Sequence, residues 1–253
     1  MSVPPLPRAP QPWNALEERA YRLRVPLLAT PFLIAMIENA RHPHPLWEGA
    51  YRIAAGSAPI GPLSRHILML PALCLYAAAL TIRLSASASL GSRTVWSGAP
   101  VANRIETGGL FGVVRHPLYL GSAGLIVALS MISSPEGAGA LLILDLPLLA
   151  LFARHEEALL SRSLPEFEDY KKSVPAFWPR RPLPDKIFAR ALRPLDRRGG
   201  AALKSEAANV SLLGGFLAFW ITPDIKVFWT AAGLSFLIAL TAPHWWKKPG
   251  DAP

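Results

Sequence analysis

A long apolar passage that contains no Lys or Arg, residues 118–152, constrains this chain more than any other feature. Its roughly 35 residues exceed the ~20 that a helix needs to cross a hydrocarbon core, but they suit two helices that turn near residues 134–137. An out-and-back hairpin returns the chain to the side that it left. The polar residues that precede and follow the passage should therefore meet at one end of the hairpin.

The composition favours a membrane protein of helical class. The 253 residues are 51% hydrophobic and 17% charged, which is too apolar for an ordinary soluble domain of this length. We expect an all-α, polytopic membrane protein with about five to six membrane helices. The candidate spans are residues 25–37, 67–84, 118–133, 137–152, 210–222 and 227–242.

The order of apolar and polar stretches divides the chain into three parts. Residues 1–84 should form N-terminal membrane helices, and residues 209–253 should form a C-terminal membrane hairpin. Between them, residues 85–208 hold a connector (85–114), the central hairpin and a polar arm (159–181). Because the polar clusters flank the central hairpin, we expect the chemistry in this middle part.

The net charge of +9 is distributed as in a membrane protein rather than a nucleic-acid-binding protein. Twelve Lys or Arg residues lie between Arg154 and Lys204, at the ends of predicted spans. Basic residues at span ends mark the cytoplasmic side and meet anionic headgroups. We therefore expect membrane lipids and no nucleic acid as partners. The high content of Ala, Leu, Pro and Arg indicates a bacterial inner membrane protein. The single cysteine, Cys74, fits no metal-ligand spacing, so no metal site is expected.

The first polar cluster is the sequence RHPLYLG at positions 115–121. Arg115 offers a planar set of donors suited to a carboxylate or phosphate, although an interfacial arginine that reaches toward water is an alternative. His116 could bind a ligand or act as a base, or it could be structural. Tyr119 lies one turn from Arg115 and could contact the same ligand. Gly121 permits the close approach of a backbone or a planar ligand.

The second polar cluster, RHEE at positions 154–157, ends the return span. Two adjacent carboxylates, Glu156 and Glu157, are costly there unless water, Arg154 or a cationic ligand compensates them. A solvated helix end is the alternative. Asp145 lies inside the return span, where an acid usually faces a partner or a cavity, or it marks a shorter span.

Four motifs carry a resemblance to a known family. They are GLF at 109–111, VRHPLYLG at 114–121, EEALL at 156–160, and an arm with Glu166, Phe167, Tyr170, Val174 and Pro175. In this order around one hairpin, they resemble the isoprenylcysteine carboxyl methyltransferase and phospholipid methyltransferase superfamily of integral membrane methyltransferases. The resemblance covers residues 90–181.

The resemblance implies an S-adenosylmethionine-dependent membrane methyltransferase. Its lipophilic acceptor would enter from the bilayer, and its pocket would open to the cytoplasm. The catalytic residues implied are Arg115, His116 and Glu157. The cofactor-binding residues implied are Arg115, His116, Tyr119, Gly121, Glu156, Glu157 and Tyr170.

The chain departs from the superfamily pattern near the acceptor side, at Gly112, Val113, Ser173 and the pair at 163–164, so the acceptor stays open. Methylation of a prenylated protein is not expected. Two other functions remain as alternatives. One is a membrane reductase of a related helical fold, although no nucleotide-binding glycine pattern supports it. The other is a non-enzymatic transport or assembly protein.

Overall fold

The computed structural model describes residues 19–21, 23–56, 58–90, 105–179, 198–222 and 224–241, and all regular secondary structure in these ranges is helical. The predicted all-α class is therefore confirmed. Residues 91–104 of the predicted connector and 180–181 of the predicted arm lie outside the described ranges. The helices are α1 (Arg24–Arg41), α2 (Leu46–Ala55), α3 (Pro62–Leu90), α4 (Pro117–Ile132), α5 (Pro135–Ala140), α6 (Leu146–Ser163), α7 (Phe167–Ser173), α8 (Ala207–Ile221) and α9 (Ile225–Thr241).

Helices α3 and α4 form the centre of the bundle and approach each other closely. Small residues on α4 make this approach geometrically feasible. A Cβ atom added at Gly124 would lie 2.7 Å from the Cβ atom of Ala79 on α3. Close contact brings many atoms into dispersion contact and excludes water from the interface. This pair of helices therefore fixes the start of α4, where the first polar cluster lies.

The predicted hairpin turn lies between α4 and α5. Helix α4 ends at Ile132, and the Ser134 hydroxyl caps α5 by accepting a hydrogen bond from the backbone N–H of Gly137 at 3.2 Å. The Asn39 side chain of α1 accepts a hydrogen bond from the Ser134 N–H at 2.8 Å. The amphipathic helix α2 joins the same end, because its Leu46 N–H donates to the Ser133 carbonyl at 2.8 Å.

The return helix runs from α5 to α6 through a π-helical turn, Leu141–Asp145. Pro147 follows this turn and explains it. Proline has no N–H to bond the carbonyl four residues earlier, that of Ile143, and its ring crowds the preceding turn. A widened turn relieves the crowding while the helix continues. The segment Pro135–Ser163 thus behaves as one helix of 29 residues with a local distortion near its middle.

Within the described ranges, two helices are long and apolar enough to cross a membrane, by length and composition alone: Pro62–Leu90 and Pro135–Ser163. Two shorter apolar helices are Pro117–Ile132 and Ala207–Ile221. The C-terminal helices α8 and α9 pack against each other through an edge-to-face contact of Phe216 and Phe228, with ring centroids 5.0 Å apart. Phe216 also packs on Tyr76 of α3, which joins this pair of helices to the bundle.

Candidate functional site

The two polar clusters predicted from the sequence meet at the open end of the hairpin. Arg115 donates from Nε to Glu157 Oε1 at 2.9 Å, and its Nη2 lies 2.8 Å from the same oxygen. Nε2 of His116 also lies 2.8 Å from Glu157 Oε1. All three side chains are largely buried, with 16% or less of each exposed. This group, together with Glu156, Tyr119 and Tyr21, is called the polar cluster below.

Arg115 also fastens the polar arm to the hairpin. Its Nη1 donates to the carbonyl of Lys171 at 2.9 Å and to that of Val174. The backbone adds two further bonds, from the N–H of Arg115 to Pro175 O at 2.8 Å and from that of His116 to Ala176 O at 3.0 Å. Helix α7 ends at Ser173, as the following Val-Pro pair predicts. The arm therefore turns back and closes over Arg115.

Glu156 accepts hydrogen bonds from two tyrosines. The hydroxyls of Tyr119 and Tyr21 donate to its Oε1 atom at 2.7 Å and 2.8 Å. Tyr21 is 3% exposed and stacks on His155 with ring centroids 4.2 Å apart. Burial and the neighbouring Glu156 carboxylate raise the pKa of Tyr21, so its hydroxyl stays a donor at physiological pH. Arg154, suggested from the sequence as a counter-charge, is exposed.

Tyr170 lies on the arm and binds the backbone rather than the other cluster side chains. Its hydroxyl donates to the carbonyl of Phe111 at 2.6 Å. Burial raises the pKa of Tyr170 to about 12 despite the nearby Arg115, so the hydroxyl keeps its proton and this bond. Tyr170 thereby ties the arm to the 3₁₀ turn Gly109–Gly112, which precedes the first cluster.

Gly121 faces helix α3 and not the polar cluster. A Cβ atom there would lie 2.5 Å from Arg83 Cγ and 3.0 Å from the Ala79 carbonyl. The close approach expected for Gly121 is thus an approach of two helices. A ligand contact at Gly121 stays a prediction.

The geometry shows what the polar cluster does within the protein. Arg115 neutralises Glu157, His116 shares the same carboxylate oxygen, and Glu156 holds two phenols. Among the described residues, no group of three or more His, Cys, Asp and Glu side chains is placed to hold a metal ion. The cluster joins the start of α4, the end of α6 and the arm. Its predicted roles toward S-adenosylmethionine and a lipophilic acceptor stay predictions.

Sequence reasoning missed a second buried charge network, between α3 and the start of α8. Arg83 donates from Nε to Glu206 Oε2 at 2.8 Å and from Nη2 to Oε1 at 3.0 Å. Ser87 and Asn209 donate to the same carboxylate at 2.6 Å and 2.7 Å. Arg83 also binds Ser122 Oγ on α4. A lone arginine at the end of the apolar stretch 67–84 was the signal that could have revealed it.

Comparison with known proteins gives partial matches and no family. No family model matches the chain, and no solved structure matches it. The nickel-cobalt-cadmium resistance protein NccN of Alcaligenes xylosoxydans xylosoxydans is 35% identical over 91 residues, which are 34% of this chain and 43% of that protein. The cobalt-zinc-cadmium resistance protein CzcN of Cupriavidus metallidurans is 33% identical over 79 residues, or 31% of this chain and 37% of that protein.

The matched part spans less than half the length of each relative. Both relatives are named for metal resistance, and neither name mentions methyl transfer. The methyltransferase function predicted from the sequence is therefore wrong, as are the terms methyltransferase and transferase that went with it. The chain is similar, over about a third of its length, to two proteins that are named for nickel-cobalt-cadmium and cobalt-zinc-cadmium resistance.

Proposed function

We propose that this protein takes part in bacterial resistance to divalent transition-metal ions as a helical membrane protein. The observation that carries the proposal is the 33–35% identity to two proteins that are named for resistance to nickel, cobalt, zinc and cadmium. Because both names include cobalt and cadmium, these two ions are the first to test.

The helical architecture supports a membrane position. The two helices of 29 residues each have a rise of about 43 Å, which exceeds the ~30 Å hydrocarbon core. Many of their large apolar side chains are exposed, for example Leu63 at 74% and Ile143 at 72%. Exposed apolar surface of this extent is costly in water and favourable in lipid. We extend the proposal to the shorter apolar helices α4 and α8 and to α1 and α9, which together with the two long helices gives six, within the five to six membrane helices expected from the sequence.

The charge distribution supports an orientation in the bacterial inner membrane. The polar cluster lies at the end of the hairpin next to the basic stretch 154–204. Basic residues near span ends favour the cytoplasmic side. We therefore place the polar cluster at the cytoplasmic surface and the turn around Ser134, with its acidic neighbour Glu136, at the opposite one.

The contacts of the polar cluster favour a role other than storing metal. Glu157 is already bound by Arg115 and His116, and a metal ion would have to displace a charge-assisted ion pair to reach it. The cluster instead fixes the arm on the bundle, so the surface formed by arm and hairpin depends on it. We propose that resistance requires this assembled cytoplasmic surface.

The test is metal tolerance of the bacterium that carries the gene. Deleting the gene should lower the concentrations of cobalt and cadmium that permit growth severalfold, and a plasmid copy should restore them. The Arg115→Ala variant should fail to restore tolerance, because the arm loses its ion-paired attachment. Lys172→Ala is the matched control, since Lys172 is 75% exposed on the same arm and its pair with Asp169 is at the surface.

Membrane fractionation of each strain accompanies the growth assay, so that a variant that is absent from the membrane is recognised. Unchanged tolerance to nickel, cobalt, zinc and cadmium in the deletion strain would overturn the proposed function. Equal restoration by Arg115→Ala and Lys172→Ala would keep metal resistance and overturn the role given to the polar cluster.

A further inference from the structure

Asp145 is a buried acid that neither the polar cluster nor the proposed function uses. It is 3% exposed, and its Oδ1 atom is buried without a hydrogen-bond partner. Buried polar atoms in proteins nearly always have a partner, because an unpaired one costs free energy of folding. The buried, unpaired oxygen of Asp145 therefore lowers the stability of the folded state. An acid inside a membrane span usually has a function, which would explain why it is there.

The position of Asp145 along its helix is the second observation. The nearest charged residues on the same helix are Glu136 and Arg154, and each is nine residues away. At 1.5 Å per residue, nine residues correspond to about 13.5 Å of helix rise on either side. A ~30 Å hydrocarbon core centred on Asp145 would leave these two residues near its two surfaces. Asp145 thus lies close to the middle of the proposed span.

The π-helical turn is the third observation, because it decides which way the acid points. Asp145 ends the turn Leu141–Asp145, in which Ile143 and Leu144 are 72% and 43% exposed. Leu141 and Leu149, four residues before and after Asp145, are buried like it. The widened turn directs the acid into the bundle and two aliphatic side chains outward. π-Turns inside helices are frequent at functional sites.

The helices around Asp145 determine which ligand its carboxylate could bind. Helices α1, α4, α5 and α6 pack against or adjoin the π-helical turn, and α4 contains no charged residue. Among the described residues, no charged side chain of these elements forms an ion pair with Asp145. The charged and titratable side chains on these elements are Arg24, Glu38, Arg41, Tyr119, Glu136, Arg154, His155, Glu156, Glu157 and Arg162. They lie near the ends of the helices. Those on the same helix as Asp145 are nine or more residues away from it along the sequence.

A metal ion needs several converging ligands, and the described residues hold no group that could supply them. A proton needs only the carboxylate. Binding a proton turns the ion into a neutral acid, which is far cheaper to hold in apolar surroundings without a counter-charge. The proton comes from water at either surface and returns to it, so the step needs no other reactant.

We propose that Asp145 is a proton-binding site in the middle of the return span, occupied at neutral pH. This inference uses the proposed insertion of the helix in a bilayer and is independent of the proposed role in metal resistance. The site would let the span change its charge by one unit without any movement of another ionisable side chain. It is the only acid inside the apolar passage between Glu136 and Arg154.

The test is infrared spectroscopy of the full-length protein reconstituted in phosphatidylcholine vesicles at neutral pH. The wild-type spectrum should contain the C=O stretching band of a protonated carboxylic acid, and the band should shift in D₂O. The band should be lost in Asp145→Asn. It should persist in the control Glu136→Gln, which removes an exposed acid from the start of the same helix.

Absence of a protonated-acid band in the wild type would overturn the proposal, and so would a band that Asp145→Asn leaves unchanged. If Asp145→Asn fails to fold, Asp145→Glu serves instead. This variant keeps the acid and should keep a band at a shifted frequency. A deletion strain with normal metal tolerance would refute the proposed function and leave these spectra unaffected, so the two failures are distinguishable.

Discussion

Glu206 and Asp145 are both buried acids in a mostly apolar bundle, but their surroundings are opposite. Glu206 is 1% exposed and receives hydrogen bonds from Arg83, Ser87 and Asn209, so its charge is balanced and its oxygens are occupied. Asp145 has a buried oxygen with no partner. The comparison separates two uses of a buried carboxylate. The first joins elements of the fold, and the second weakens the fold and invites a functional explanation.

The polar cluster belongs with Glu206 in this comparison. Its glutamates bind Arg115, His116 and two tyrosines, and the result is a junction between helices and arm. Charge alone therefore does not identify a site in this protein. The presence or absence of a partner is the more informative property, and the following predictions test it.

The largest effect is expected from breaking the Arg83–Glu206 pair. Arg83→Ala leaves the Glu206 carboxylate buried without its cation, which should lower the free energy of unfolding by about 3–5 kcal/mol. Denaturant unfolding in detergent micelles measures it. Arg41→Ala is the control, because the exposed Arg41–Glu38 pair should contribute at most about 1 kcal/mol. Equal losses of stability in Arg83→Ala and Arg41→Ala would show that the buried ion pair contributes no more to the fold than the exposed one.

Acid should reveal the same pair without a mutation of Arg83. Burial alone would raise the pKa of Glu206, but Arg83, Ser87 and Asn209 hold it below the ordinary glutamate value. A carboxyl with a lowered folded-state pKa contributes stability above its unfolded-state pKa, and this contribution is lost as the pH falls through the folded-state value. Unfolding measured across this acidic range should show a steeper decline for the wild type than for Glu206→Gln.

Removing the arginine of the polar cluster should have a somewhat smaller effect. Arg115→Ala leaves Glu157 with His116 alone and frees two arm carbonyls, so stability should fall by about 2–3 kcal/mol. The bonds from residues 115 and 116 to the arm backbone remain. Limited proteolysis of the arm should accelerate in this variant and stay unchanged in Lys172→Ala. An arm that resists protease equally in both would contradict the role of Arg115 as its attachment.

The close contact between α3 and α4 allows a variant that changes packing and not charge. Gly121→Ala places a methyl group against Arg83 and the Ala79 carbonyl, which should cost about 1–3 kcal/mol. Gly139→Ala is the matched control, since no atom lies within 4 Å of its added Cβ. That variant should gain about 0.5–1 kcal/mol from helix propensity. Melting temperatures in detergent compare the two directly.

The smallest effect, and the one of opposite sign, is expected at Asp145. Asp145→Leu replaces an unpaired polar group by an apolar one of similar size, so stability should change by less than about 1 kcal/mol or increase. The same denaturant assay measures it beside Arg83→Ala. A loss comparable to that of Arg83→Ala would mean that Asp145 holds the fold together, and the contrast with Glu206 would disappear.

The part of the site that is local to the hairpin could be predicted from the sequence. The long apolar passage without basic residues, 118–152, was enough to predict that Arg115 and Glu157 meet at one end of a hairpin. The pair Val174-Pro175 was enough to predict the end of α7. Tyr21 could not be placed in this way, since it binds Glu156 from 135 residues away. The pair of Arg83 and Glu206 is separated by 123 residues, and no periodicity in either segment indicates the other.

The functional inference failed for a different reason. The motifs around Arg115, Glu157 and Tyr170 build the junction between arm and hairpin, and a fold can host many unrelated functions. Motifs that reflect how helices are joined therefore predicted the geometry better than the reaction. The resemblance to the methyltransferase superfamily and its cofactor stay predictions, whereas the predicted function gives way to the names of the relatives.

The attachment of the arm has a consequence for how the sequence can change over generations. The N–H groups of Arg115 and His116 hold the arm through the carbonyls of Pro175 and Ala176, which every amino acid possesses. The side chain at position 176 can therefore change while the main chain keeps its path, whereas Pro175 ends α7 and the Phe177 ring lies 5.5 Å from that of His116. Natural variation at position 176 is free to adapt to whatever meets the arm from outside, at little risk to the architecture beneath.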